Sequence, residues 1–323
     1  MLSRELGVSP KTIRMAFDQL ERESLLIPMG KGSRRRVTPQ EHQAAAALKI
    51  RIFPYEESDR ATRPMLDLQQ RLRQAGHDEG ITERTLTDLK MDVDRVATCV
   101  AKHDAEAWVV IAASREILEW FARQPFATFA SMGRMRGLPI AGAKPDKIEA
   151  QREALHRLHA LGHRRIVQLV SHERVRPNIG LLERAFLDEL EALGIATGPY
   201  NLAEWAGGRR DFHKRLQSLF RISPPTALFI PEGPQFMAVQ QFLARQGIYA
   251  PEKISLVCDD PDPAFDWCDP PITHLGWSHD PIVRRIVRWA GNVARGKDDR
   301  RQTLTKATFV AGGTIGPVPK PKA

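Results

Sequence analysis

Cysteine is scarce in this chain of 323 residues, with three, at positions 99, 258 and 268. They lie far apart and form no Cys-x-x-Cys pair. Neither a zinc site nor a disulfide framework is indicated, and a reducing cytoplasm is the expected compartment. Long apolar runs are missing too: no stretch reaches the roughly 18–20 residues of a spanning helix, so no membrane partner is expected. The first twenty residues carry Arg4, Glu5, Lys11, Arg14 and Asp18 with no unbroken apolar segment, which argues against a secretory leader. Catalytic signatures are also wanting. There is no His-Glu-x-x-His, no phosphate-binding glycine loop and no Gly-x-Ser-x-Gly elbow. The expectation is a protein that is not an enzyme and uses no cofactor and no metal. His156, His159 and His163 have helical metal-site spacing, but Arg157, Arg164 and Arg165 beside them disfavour a cation.

What is present is positive charge. Lys and Arg number 48 against 39 Asp and Glu, a formal net charge of +9. That balance suits a polyanionic partner, nucleic acid first. The length suits about two or three domains, and the 42% hydrophobic and 27% charged residues are ordinary for a globular protein.

Near the N-terminus, Leu2 and Leu6 share a helical face, and Gly7-Val8-Ser9 interrupts it. Ser9 is a good N-cap with Pro10 at the first helical position. Ile13, Ala16, Phe17 and Leu20 then form one stripe, expected to be buried, while Lys11, Thr12 and Arg14 project elsewhere from the first turns. Such an end suits a major groove. Ser24–Ile27 and the run after Pro28 bracket Gly30-Lys31-Gly32, a candidate hairpin wing in which Lys31, Arg34, Arg35 and Arg36 can meet phosphates. Residues Leu2 to Leu25 with this wing resemble the winged helix-turn-helix of GntR-family repressors. The resemblance implies double-stranded operator DNA as partner and Ser9, Lys11, Thr12, Arg14, Lys31, Gly32, Arg34 and Arg35 as contacts. Ser24 replaces the family's usual glycine, and the sequence starts at the motif's second helix.

From Leu48 the texture changes. Ile50–Phe53, Ala107–Ala112, Ile166–Val170, Ala227–Ile230 and Ile254–Val257 read as strands. Leu66–Ala75, Val93–His103, Glu149–Leu161, Leu182–Leu193, Phe212–Phe220 and Gln235–Gln246 read as helices. Alternation of this kind implies parallel sheets with both faces covered. The ordered segments Leu161–Ile166, Pro225–Gly233, Gly247–Asp260 and Pro270–Leu275 resemble the effector domain of LacI-family repressors, which has the periplasmic-binding-protein fold. The fold class is therefore expected to be α/β: a two-lobed sensor with parallel sheets, preceded by a small winged helix-turn-helix. The divisions are a head over 1–38, a linker over 39–47, the sensor over 48–316 and a disordered tail over 317–323.

In open α/β sheets ligands bind beyond the carboxyl ends of the strands. That rule nominates Tyr55, Glu56, Ser114, Arg174, Asn178, Glu232, Asp259, Asp260 and Trp277 as effector contacts. Carboxylates and amides there suit sugar hydroxyls, and an indole can stack on a ring. Each has a plainer reading: Asp259-Asp260-Pro261-Asp262 as a solvated turn, Glu232 as a helix cap, Trp277 as core, Arg174 as surface charge. Leu182 and Pro231-Glu232 depart from the family's usual Arg and Asn-Asp, so a standard sugar is not implied. The expectation is a cytoplasmic, homodimeric, ligand-responsive transcriptional regulator with a small-molecule effector, carbohydrate among the candidates. The alternative is a solute-binding protein of the same fold.

Overall fold

The computed structural model describes residues 9–22, 26–27, 36–37 and 46–319, in two compact units, 1–46 and 47–323. In the first unit, α1 (Pro10–Arg22) opens on Ser9, whose hydroxyl accepts from the Thr12 amide at 3.1 Å. Strands β1 (Leu26–Ile27) and β2 (Arg36–Val37) pair antiparallel, Leu26 opposite Val37. Ile13 and Phe17 are half-buried, but Ala16, expected in the same stripe, is exposed within this unit. Leu2, Leu6 and the wing tip, with Lys31, Gly32, Arg34 and Arg35, lie outside the described residues.

The second unit is a pair of lobes. The first lobe is built on β3 (Lys49–Phe53), β4 (Asp78–Ile81), β5 (Ala107–Ile111), β6 (Ala127–Ser131), β7 (Ala141–Asp146) and β13 (Gln302–Lys306). Their order is β13-β7-β6-β5-β3-β4, all parallel. One face carries α2 (Arg63–Gln74) and α10 (Asp280–Ala294), where Leu68, Leu72, Ile286 and Trp289 pack on Ile50, Ile52, Val109 and Phe129. The other carries α3 (Val93–Val100) and α4 (Arg115–Ala122), where Val96, Ile117 and Phe121 pack on Phe53, Trp108 and Val110. With both faces covered, β5 reads Ala-Trp-Val-Val-Ile, an apolar run without alternation.

The second lobe repeats the plan with β8 (Ile166–Ser171), β9 (Leu202–Trp205), β10 (Ala227–Ile230), β11 (Ser255–Cys258), β12 (His274–Gly276) and β14 (Thr308–Val310). The order is β14-β12-β11-β10-β8-β9, parallel except for β14. Helices α5 (Ile148–Ala160) and α7 (Leu181–Ala192) cover one face through Leu155, Leu158, Phe186 and Leu190. Helices α8 (Gly208–Ile222) and α9 (Gly233–Ala244) cover the other through Phe212, Leu216, Phe236 and Val239. Burying each such side chain contributes about 1.5–3 kcal/mol. The chain passes between lobes three times: after β7, after β12, and between β13 and β14.

The tail differs from expectation. Residues 317–319 are placed against the second lobe, with the Val318 amide donating to the Leu161 carbonyl at 3.0 Å. Nearby, His163 Nε2 lies 2.8 Å from the Gly316 carbonyl and 3.0 Å from Ser255 Oγ, and burial lowers its pKa. Residues 320–323 lie outside the described set.

Candidate ligand cleft and nucleic-acid interface

The carboxyl ends of the strands deliver their loops to the space between the lobes. In the first lobe, the Tyr55 and Glu56 amides donate to Asp59 Oδ2 at 2.8 and 3.1 Å, which fixes the turn after β3. Burial raises the Tyr55 hydroxyl pKa. Glu173 and Glu232 of the other lobe raise it further, as do Glu56 and Asp59. Tyr55 therefore faces carboxylates from both lobes and stays protonated. Ala112 and Met132, just past β5 and β6, hold φ of 49° and 65°, a left-handed backbone that costs free energy in non-glycine residues.

In the second lobe, Glu232 and Asp259 follow the adjacent parallel strands β10 and β11, and the Asp259 amide donates to the Ile230 carbonyl at 2.7 Å. Burial, then the neighbouring Asp260, push Glu232 up to about 7, with Lys147 opposing. Burial also lifts Asp259 to about 7, against the attraction of Lys147. Asp259 is 5% exposed, which excludes the solvated-turn reading. Gln168 Nε2 donates to its Oδ2 at 2.9 Å, while its buried Oδ1 has no partner among the described residues. Buried polar atoms are rarely left so, and an unpartnered carboxylate oxygen at a strand end is where a ligand's donor fits. Glu232 stands at the N-cap of α9 but makes no side-chain cap bond, so the capping reading does not hold either.

Arg174 lies in α6 (His172–Val175), and its Nε donates to Glu183 Oε1 at 2.6 Å. Glu183 is 2% exposed, and its Oε2 lies 2.2 Å from where a Cβ on Gly180 would be, so a side chain there would displace the carboxylate. The pairing holds the guanidinium charged, with Asp259 and Asp260 adding to that. The Arg174 side chain is itself 45% exposed, so it is a surface charge anchored to a buried carboxylate.

Other nominees are occupied. Asp260 Oδ1 accepts from Lys147, and from Trp277 Nε1 at 2.8 Å. The Trp277 ring lies 4.1 Å from the His279 ring and packs against the cores of both lobes. These two therefore brace the crossings, where an open stacking platform was expected. Ser114 is 7% exposed and caps α4, its hydroxyl accepting from Ile117. The Glu56 carboxylate accepts from Ser58 at 2.5 Å. Asn178 is exposed and contributes its backbone carbonyl to Arg134. Arg134, Lys147, Gln168 and His279 were not among the sequence candidates. Gln168 could have been found as a polar residue inside the apolar run Ile-Val-Gln-Leu-Val, whereas the other three carry no local signal.

In the N-terminal unit, Ser9, Lys11, Thr12 and Arg14 are all exposed, and Ser9 Oγ and Thr12 Oγ1 are 2.8 Å apart. Ser9 thus serves as the cap of α1, while Lys11 and Arg14 leave their charges in solvent.

Residues 155–315 match the family model of the periplasmic binding protein-like domain. The HTH-type transcriptional repressor CytR of Escherichia coli is 28% identical over 148 residues, 44% of this chain and 42% of the repressor. The chain thus matches less than half the length of that curated relative. Among solved structures, the transcriptional regulator CelR in complex with cellobiose superposes with a TM-score of 0.67 at 16% identity, covering 95% of this chain and 91% of that one. The lac repressor dimer bound to operator and an anti-inducer gives 0.65 at 17% identity, covering 85% and 97%. The fold is the two-lobed periplasmic-binding-protein-like α/β architecture. These relatives lend no support to the GntR-like assignment of the head. Among the described residues no helix is long and apolar enough to cross a membrane.

Proposed function

We propose that the chain is a ligand-responsive transcriptional regulator, not an enzyme, whose interlobe cleft takes a small polar effector and whose basic head binds operator DNA. The observation that carries the effector half is Asp259, buried with one oxygen paired to Gln168 and the other open. With Glu232 and Arg174 it offers acceptors and a donor to hydroxyls. A sugar is the candidate class, since the similar CelR structure holds cellobiose. The DNA half rests on exposed Lys11 and Arg14 in α1, the net charge of +9 and the similarity to the CytR repressor. A homodimer working in the cytoplasm follows from likeness to the lac repressor dimer on its operator. Effector binding would change operator affinity through a coupling of about 1–3 kcal/mol.

For the head, the relatives favour a LacI-type helix-turn-helix. A winged, GntR-like head remains a second reading because β1 and β2 pair antiparallel after α1. Amide chemical-shift changes on adding DNA separate the two, since a wing would bring residues 28–35 onto phosphates. The alternative of a solute-binding protein shares the cleft but has no use for DNA. The deciding experiment is fluorescence anisotropy of the full chain on genomic operator fragments at graded salt, with and without sugars that raise its melting temperature. Sugar binding with no salt-dependent DNA binding would favour the transport reading.

A further inference from the structure

The loop after β6 is clamped to the first lobe. The Met132 amide donates to Ala143 at 3.0 Å, and the Arg134 amide to Ala113 at 3.4 Å. A Cβ on Gly133 would stand 2.9 Å from Leu118 Cδ1 and 3.0 Å from the Ala113 carbonyl, so the backbone is packed as tightly as glycine allows. From this base the Arg134 side chain reaches the second lobe. Its Nη1 donates to the carbonyls of Glu173 at 3.2 Å and Arg176 at 2.8 Å, and its Nη2 to that of Asn178 at 2.7 Å. Among the described residues, these are the hydrogen bonds that join the lobes away from the three crossings.

Within its own lobe the segment is tied by Arg174 to Glu183 at 2.6 Å, by buried Val175 and by two backbone bonds. The Arg176 amide donates to His172 at 3.0 Å and the Gly180 amide to Arg174 at 2.9 Å. Carbonyls at the end of a helix need donors, and a planar guanidinium can serve several at once. The same segment carries Glu173, whose charge raises the Tyr55 pKa, and Arg174, whose charge Asp259 and Asp260 favour.

We propose that Arg134 is an interlobe latch: by holding the backbone of the 173–178 segment it ties the second lobe to the first across the cleft. Arg134 acts through the segment and is a positioning residue. The latch concerns how the cleft opens and does not depend on which ligand the cleft takes. An arginine is suited to it because three carbonyls in different directions need a fork of donors, which an ammonium cannot span.

The test uses the full chain carrying Cys268→Ser with spin labels at Glu116→Cys on α4 and Gln217→Cys on α8, both exposed and one in each lobe. Electron double resonance then reports the interlobe distance without added ligand. Arg134→Gln should lose the short-distance population, and Arg134→Lys should lose part of it. Hydrogen exchange of the Arg176 and Gly180 amides should accelerate by about tenfold or more, with β5 and β10 amides unchanged as evidence of an intact fold. An unchanged distance distribution in both variants overturns the latch, whatever the exchange rates. A shifted distribution with unchanged exchange at 173–180 overturns the hold on that segment. Should Arg134→Gln fail to fold, Arg134→Lys carries the same comparison.

Discussion

Gln168 on β8 and Asp259 just past β11, a strand that does not neighbour β8, meet through a hydrogen bond of 2.9 Å. Strand β10 lies between β8 and β11, so the two side chains join above it. Replacing the carboxylate tests what the open oxygen is for. Asp259→Asn keeps an acceptor for Gln168 but gives up the charged acceptor. Effector affinity should fall by about ten- to a hundredfold, the worth of a charge-assisted bond of about 1.5–3 kcal/mol. Calorimetric titration of the sugar that best stabilises the chain measures this, and unchanged affinity would remove Asp259 from the site.

Glu232 should give the protein a distinctive pH dependence. Its folded pKa, about 7, is above its ordinary 4.5. Between those values the unfolded chain has released the proton that the folded chain keeps, so this group's contribution falls as pH rises through that window, then levels above 7. Glu232→Gln should be as stable as the parent near pH 4.5 and more stable at pH 8, by at most about 3 kcal/mol. Melting curves across pH 4.5–8 test the sign; a variant less stable at pH 8 would refute it.

Arg285 and Asp299 make a paired-charge test. Two hydrogen bonds of 3.0 and 2.6 Å join them, their side chains are 6% and 11% exposed, and the guanidinium lies 5.6 Å over the Phe129 ring. Asp299→Ala strands a buried cation and should cost about 3–5 kcal/mol. The double variant Arg285→Met, Asp299→Leu should recover most of that loss. Denaturant unfolding of the single and double variants reads both numbers.

Arg14, exposed on α1, should matter only with DNA present. Arg14→Ala should leave the melting temperature unchanged and weaken operator binding. If the side chain meets a phosphate, the slope of log affinity against log salt should shrink by about one; if it meets a base, sequence preference should relax while the slope holds.

The sheets were legible where strands are buried on both faces, as at Ala107–Ile111 and Ala227–Ile230. They were not legible at β7, where small residues and Pro145 carry no β signal. There glycine is needed at 142 because a Cβ would lie 2.7 Å from the Ala130 carbonyl oxygen. Edge strands β9, β13 and β14 are short or half-exposed and resemble loops. Helix α10 is different, since Ile282, Ile286, Trp289 and Val293 keep helical spacing and the sequence reading simply passed over it. The strand-end rule nominated Tyr55, Glu232, Asp259 and Arg174, which the structure places in the segments that follow strands. It could not find Arg134 or Lys147, whose importance comes from partners 39–44 and 113 residues away.

Because the chain passes between lobes three times, neither lobe is a continuous stretch of sequence. The first lobe has its early strands by Asp146 but waits for α10 and then for β13, which pairs with β7. The second waits for β14 to cover the edge of β12. A nascent chain leaving the ribosome therefore holds two unfinished sheets until β13 and β14 have emerged. A deletion or a stop after β12 would leave both lobes incomplete at once.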